Sequence, residues 1–359
     1  MRESETKTGQ NPLISVVIPC FRAGELLAEA IESVLAQTET DWELILVDNN
    51  ASDETRAVVG RYVARYPEKI RSVFESEQGN SSARNKGIKE SSGKYIAFLD
   101  DDDLMYPNRL EKQLDVALRN VNCSIVYADM DLCSQSGLKL EKKFFSSDKL
   151  IYSEDILIWS PRYKQDPPLF TFPSIMFFSK ERALECGMFD EKFNPFFHED
   201  TDFCLRMWEL GPFVKVCESL GMFREASADF LAMKRKGMLS LYLRERNQNQ
   251  FFNKCVHKYF NPRNKINLRS FKKLQSRLLR ELACHVLKFE EGKLLGRALI
   301  QRAVRASPSD WKNWKWFLRT FLPNLFLCRF LGEERLHKER LEDVLNPQEL
   351  KRFFTLPTD

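Results

Sequence analysis

The strongest constraint on the fold is a regular exchange, from residue 13 to residue 98, between short apolar runs and amphipathic helical stretches. Leu13-Ile14-Ser15-Val16-Val17-Ile18 reads as a buried strand that Pro19 ends. Leu27, Ala30, Ile31, Val34 and Leu35 then recur at helical spacing. Glu43-Leu44-Ile45-Leu46-Val47 forms a second buried strand, and Asp48-Asn49-Asn50 turns out of it. Ser52 caps the next helix, whose first turn holds Asp53 and Glu54, where the helix dipole favours them. A third strand is expected over 70–74, a helix over 81–89 and a fourth strand over 95–99. This alternation specifies an α/β fold, a mainly parallel sheet with helices on both faces. Such sheets hold ligands beyond the carboxyl ends of their strands. Residues 20–22, 48–50 and 100–103 are polar clusters that each follow a strand, so all three are expected to converge on one crevice.

From about 120 to 225 the pattern is mixed, with strands expected over 124–127 and 174–178 and a helix over 203–210 that Gly211 stops. Loops rich in proline, at Pro161 and Pro167-Pro168, lie between these strands. After about 226 no strand pattern remains. The stretch 268–306, rich in Leu, Arg, Lys and Glu, implies packed helices, with breaks at Pro308 and Pro323.

Charge divides the chain in the same way. Residues 1–225 carry 27 Lys+Arg against 38 Asp+Glu, whereas residues 226–359 carry 28 against 13. The expected organisation is a polar tail over 1–11, an α/β domain over 12–225 and a basic helical region over 226–359 that meets something anionic. Nine scattered cysteines without a C-x-x-C pair read as reduced thiols of a cytoplasmic protein, and no histidine joins them at zinc-ligand spacing. The first residues lack the apolar core of a secretion signal, and no run of apolar residues is long enough to span a bilayer.

Asp100-Asp101-Asp102-Asp103 follows an apolar strand. Adjacent carboxylates repel, so they need solvent, protonation or a cation. A hard divalent ion takes one or two carboxylates and completes its shell with water and substrate phosphates. A solvated turn is the plain alternative. Arg84 lies in the helix opening Gly79-Asn80-Ser81-Ser82-Ala83-Arg84-Asn85, where free N–H groups and a forked cation suit a diphosphate, or where it is an ordinary surface arginine. His198-Glu199-Asp200-Thr201-Asp202 opens the helix at 203–210; its carboxylates either cap that helix or take a proton from an attacking hydroxyl.

Taken together, the phrases Ser15-Val16-Val17-Ile18-Pro19-Cys20-Phe21, Leu46-Val47-Asp48-Asn49-Asn50-Ala51-Ser52-Asp53, Ala83-Arg84-Asn85-Lys86-Gly87-Ile88, Gly93 to Asp103, and Gly187-Met188-Phe189-Asp190 with Glu199-Asp200-Thr201-Asp202 resemble family 2 glycosyltransferases of the GT-A fold. The resemblance covers roughly residues 12–225. It implies that Pro19 and Phe21 line a nucleoside pocket, that Asp48 bonds the base and that Arg84 contacts the diphosphate. Asp100 and Asp102 match the D-x-D element, so Asp100 and Asp101 would hold the donor and Asp102 the metal, Mg²⁺ or Mn²⁺. Asp200 matches the base of an inverting transfer from a nucleotide-diphosphate donor, a UDP-sugar by preference, to an acceptor hydroxyl. The acceptor class would be a surface glycan or a lipid-linked one. Many members also carry an Arg-x-His phrase after the last strand. Here the matching stretch is Phe223-Arg224-Glu225-Ala226, without the histidine, which leaves Arg224 or the Lys234-Arg235-Lys236 cluster to serve.

Residues 311–331 mix Trp, Phe and cations as interfacial segments do, so the basic region either docks on an anionic membrane surface or buries these aromatics in a helical bundle. The first alternative would make the chain peripheral on the inner face of the membrane. No nucleic-acid motif accompanies the charge, and no nucleic-acid partner is expected. A silent scaffold of the same fold is the competing function. A sugar-1-phosphate nucleotidyltransferase is a weaker one, because Pro19-Cys20-Phe21-Arg22-Ala23-Gly24 is not its Gly-rich loop. The composition does not specify an oligomeric state.

Overall fold

The computed structural model describes residues 11–134, 136–143, 172–194, 198–224 and 292–323, with scattered positions between 272 and 287 and at 330–331. Two compact units divide the chain: Met1–Ile151 with Pro168–Ala226, and Tyr152–Pro167 with Ser227–Asp359.

In the first unit β1 (Ile14–Cys20), β2 (Trp42–Asp48), β3 (Ile70–Phe74) and β4 (Tyr95–Phe98) alternate with α1 (Leu26–Leu35), α2 (Asp53–Arg65) and α3 (Asn80–Glu90). They pair in parallel, in the order β3-β2-β1-β4. The runs of Val, Ile and Leu are buried because helices cover both faces, as parallel sheets require. Ser52 caps α2 by accepting from the Thr55 amide.

Beyond β4 the sheet becomes mixed. β5 (Leu104–Met105), β6 (Ile125–Cys133), β7 (Lys139–Lys143), β8 (Phe177–Ser179) and β9 (Phe213–Arg224) complete it. β8 is antiparallel to both β4 and β6, β9 is parallel to β6, and β5 and β7 pair at the edges. The short α4 (Arg109–Arg119), α5 (Lys180–Glu185) and α6 (Glu199–Leu210) flank this half.

Three expectations change in detail. Pro19 lies inside β1, not at its end: β4 pairs with β1 only from Ile14 to Val17, so at Pro19 no neighbour on that side asks for the missing N–H. Residues 173–175 form a 3₁₀ turn and only 177–179 a strand, because the Met176 amide bonds back to the Pro173 carbonyl. The helix expected from 203 starts at Glu199. The proline loops at Pro161 and Pro167-Pro168 and the Lys234-Arg235-Lys236 cluster lie outside the described residues.

The second unit contributes α7 (Lys293–Ala306) and α8 (Trp311–Arg319). Leu295, Leu299, Ile300 and Ala303 of α7 are buried, as are Leu279, Ala283, Val286 and Leu287. Gly296 sits so close to Leu287 that a Cβ there would fall 2.6 Å from its Cγ. Among the described residues no helix is long and apolar enough to cross a membrane.

Two glycines separate close packing from chain entropy. A Cβ on Gly93 would lie 2.5 Å from the Ser15 amide nitrogen of β1, whereas one on Gly60, exposed in α2, would meet nothing within 4 Å. Gly93→Ala is therefore expected to lower unfolding free energy by about 1–3 kcal/mol. Gly60→Ala should raise it by roughly 0.5–1 kcal/mol. Urea denaturation of both variants checks the pair.

Candidate functional site

The carboxyl ends of β1, β2 and β4 deliver the three polar clusters to one edge of the sheet. At β1 the chain turns through Pro19, Cys20 and Phe21, and the Phe21 amide donates to Asp101 Oδ2 at 2.9 Å. Phe21 is partly exposed, with the Arg22 guanidinium 4.9 Å from its ring centroid. At β2, Asp48 Oδ1 accepts from the Ala51 amide at 2.8 Å and Oδ2 pairs with Arg56 at 2.8 Å. The buried Asn49 then spans to the entry of α3. Its amide nitrogen donates to the Glu75 and Glu77 carbonyls, and its oxygen accepts from the Gly79 amide. Burial, then the charges of Asp101 and Asp48, push the Cys20 thiol well up, which sets all three groups in one neighbourhood.

Arg84 is the centre of the charged part. It is carried inward by α3 and is 3% exposed. One terminal nitrogen reaches Asp100 Oδ1 at 3.0 Å and the other Glu199 Oε1 at 3.2 Å. Burial pulls its pKa down, but Asp100 and Glu199 outweigh that and raise it. Asn80, at the start of α3, also donates to Glu199 Oε1. The expected diphosphate contact is thus a buried residue, with both terminal nitrogens engaged by carboxylates.

The acid cluster carries more negative charge than its cations balance. Burial and the adjacent Asp102 push Asp101 up to about 7. Burial and Asp100 push Asp102 up to about 6. Asp103 is raised well above the carboxylate range by burial and its two neighbours, and its Oδ1 accepts from the Arg224 amide at 2.9 Å. Arg224 belongs to β9 itself. Its guanidinium is buried, donating to the Asp102 carbonyl at 2.8 Å and pairing with Glu29 of α1 at 2.7 Å. A second buried cation, Arg109, lies beneath the cluster. It donates to the Ser174 and Phe98 carbonyls and to Gln113, and burial pushes its pKa down to about 9.

α6 brings the remaining acids. His198 enters it in the left-handed region, at φ 66°, with no side-chain cap. Asp200 Oδ1 accepts from the Thr201 amide at 2.7 Å, and burial raises its carboxyl. Glu199 is pushed up to about 7 by burial and then by Asp200, with Arg84 opposing. In sequence Glu199 reads as a cap or a base; the structure uses it as Arg84's second partner. Its one sequence signal was its place beside Asp200. Nothing in the sequence pointed to Glu29 or Arg109.

A divalent cation fits this donor set. The oxygens are hard ligands, and burial first, then repulsion between neighbouring acids, raises the Asp101 and Asp102 carboxyls, a cost that a cation relieves. Glu199 Oε2 is moreover buried without a protein hydrogen-bond partner, and the likewise unpartnered Arg84 Nε is a donor that suits an anionic oxygen and not the metal. Among the described residues no three His, Cys, Asp or Glu side chains form a closed cage, so an ion here would take one or two carboxylates and fill its shell with phosphate and water oxygens.

Comparison with known proteins supplies a family likeness for the chain. Residues 15–184 match Glycosyl transferase family 2. The chain is 34% identical over 148 residues to the Bacillus subtilis protein named as a teichuronic acid biosynthesis glycosyltransferase, TuaG, covering 41% of this chain and 58% of that one. It is 33% identical over 142 residues to the Escherichia coli UDP-Glc:alpha-D-GlcNAc-diphosphoundecaprenol beta-1,3-glucosyltransferase WfgD, covering 40% of this chain and 54% of that one. The chain thus spans little more than half the length of these curated relatives. Among solved structures, the Pyrobaculum calidifontis mannosyltransferase PcManGT, in complex with GDP-Man and Mn²⁺, superposes with a TM-score of 0.52 at 15% identity. That match covers 87% of this chain and 85% of the other, and establishes the shared GT-A-like fold.

The raised carboxyls predict a pH dependence. A carboxyl whose folded pKa exceeds its unfolded value favours folding while protonated, and that contribution is lost as pH rises through the folded pKa. With Asp101 and Glu199 at about 7, the metal-free protein is expected to gain thermal stability as pH falls from about 8 to about 5. Asp101→Asn should flatten the slope, and differential scanning calorimetry across that window checks it.

Proposed function

We propose, for a chain whose residues 15–184 match glycosyl transferase family 2, metal-dependent transfer of a sugar from a nucleotide-diphosphate donor to an acceptor hydroxyl. The observation that carries this reading is the convergence of Asp100, Glu199 and the adjacent Asp200 around the buried Arg84, beside the run of acids Asp101 to Asp103. Pro19, Phe21 and Asp48, at the ends of β1 and β2, line the nucleoside side. Phe21 offers a partly exposed ring for a base to stack on, and Asp48 is held by Arg56. Asp100 and Asp101 face the donor, and Asp102 is the direct metal ligand. Arg84 acts on the diphosphate through the positive charge it lends and through the two carboxylates it holds in place. A bound divalent ion supplies the charge that the leaving diphosphate requires.

Asp200 is the general base. The acceptor oxygen forms a bond to the anomeric carbon as the bond to the diphosphate breaks, and Asp200 takes the hydroxyl proton. One displacement inverts the anomeric centre. Burial raises the Asp200 carboxyl and so strengthens it as a base. UDP is the preferred nucleotide, glycan or lipid-linked hydroxyls the acceptor class, and glycan assembly the setting, in line with what the names of the curated relatives say of those proteins. The division into a transferase domain over 12–225 and a basic region over 226–359 is part of the same proposal.

Thermal unfolding with UDP, GDP, dTDP and CDP, each with and without Mn²⁺, tests the donor site. One nucleotide at 100 times its Kd should add about 2.7 kcal/mol, with metal only, and Asp102→Ala should abolish the gain. No gain with any nucleotide would favour a silent scaffold. Asp200→Asn should retain that metal-dependent gain yet lose nucleoside diphosphate release in the presence of acceptor; unchanged turnover would remove Asp200 from the mechanism.

A further inference from the structure

Helix α8 is built inside out. Its fully buried side chain is Asn313, joined by Thr320 just past its end, and both are polar. Asn313 Nδ2 donates to Ser276 Oγ at 2.7 Å and to the Ala303 and Ser307 carbonyls at 3.2 Å, while its Oδ1 accepts from Arg280 at 2.6 Å. Arg297 of α7 donates to Thr320. Asp310 starts the helix by accepting from the Lys312 amide, and it pairs with Arg280 at 2.7 Å. Polar contacts therefore hold α8 to its unit.

Four large apolar side chains of the helix and its final turn face the other way, while Trp316 and Phe317 are half-buried. Trp311, Trp314, Leu318 and Phe321 are 62%, 47%, 66% and 57% exposed. Their spacing of three, four and three residues places them in one stripe along the helix and its final turn. Fully burying any one of these side chains would favour the bound state by roughly ten- to a hundredfold. Lys312 and Lys315 flank the stripe and are exposed, with Arg319 beside them. The Lys315 ammonium sits 5.1 Å from the Trp311 ring centroid and the Arg319 guanidinium 4.7 Å from that of Trp316. From Trp311 to Pro323 the sequence has no acidic residue.

We infer that this stripe is a docking surface for an anionic lipid bilayer, with Trp311, Trp314, Leu318 and Phe321 entering the interface and Lys312, Lys315 and Arg319 meeting the phosphates. Tryptophan and phenylalanine beside cations, on a helix too short and too charged to span, suit the boundary between headgroups and acyl chains. Charge decides between a bilayer and a second copy of this chain. A twofold contact through the same face would bring one copy's cations against the other's, whereas a surface of phosphates attracts them. The inference concerns attachment and does not depend on the proposed chemistry.

The test is co-sedimentation of the full chain at low salt with vesicles of phosphatidylcholine alone and of phosphatidylcholine mixed with phosphatidylglycerol. The protein is expected to pellet with the mixed vesicles, with a blue shift of tryptophan emission. The triple variant Trp314→Ser, Leu318→Ser, Phe321→Ser should bind at least about tenfold more weakly. Lys312→Glu with Lys315→Glu, which leaves the apolar stripe intact, should lose the preference for the anionic lipid. Far-UV circular dichroism and urea denaturation establish that each variant is folded. Failure of the wild type to bind, or equal binding by the triple variant, overturns the inference. So does a wild-type dimer in sedimentation velocity that the triple variant converts to monomer without any vesicle binding. Each of these outcomes leaves the nucleotide result, and with it the transferase reading, standing on its own data.

Discussion

Arg84 in the protein interior, held between Asp100 and Glu199, is the interaction on which the site depends. Its partners are 16 and 115 residues away in sequence, one at the end of β4 and the other at the start of α6. A cation this buried is tolerable only when paired, and buried Glu199 depends on it in turn, whereas half-buried Asp100 also reaches solvent. The three segments are thereby locked together before any ligand arrives. Asp200 inherits its position from Glu199, its neighbour on α6, and Asp101 and Asp102 inherit theirs from Asp100.

Around that core the acids are held by the backbone as much as by charge. Arg224 ties Asp102 and Asp103 to β9 and to Glu29 of α1, and Arg109 ties the end of β4 to the 3₁₀ turn at Pro173–Ile175. Both cations stay on the protein side of the cluster. The acidic face is left short of positive charge, which is the condition under which a divalent ion and a diphosphate bind together. The same logic in reverse governs α8. There the cations lie on the exposed side, and polar Asn313 and Thr320 form the inner anchor.

The parallel half of the sheet was legible because it is written locally. Continuous apolar runs, helical spacing and the Ser52 cap each depend on a few adjacent residues, and strands β1 to β4 and helices α1 to α3 appear where those signals lie. The mixed half is less legible. β5 is two residues long and exists only because Leu104 and Met105 find β9, and the 173–175 turn is decided by Arg109 and Gln113 drawing on its carbonyls. Pro19 reads as a stop because the sequence does not reveal where β4 ceases to pair with β1. Of the site, the acids at the strand ends and the Glu199-Asp200 pair were visible as residue types. Arg84's burial was not, because desolvation depends on what α6 places over α3, and no local pattern records that.

The most direct measurement of this account is a urea denaturation series on Arg84→Met, alone and combined with Asp100→Asn and Glu199→Gln. If Arg84 is chiefly the partner of buried Glu199 and half-buried Asp100, the single variant should lose about 3–5 kcal/mol, mostly by stranding Glu199, and the triple variant should recover most of it. A single variant as stable as wild type, or a triple variant less stable than the single one, would contradict the claim that this pairing organises the site.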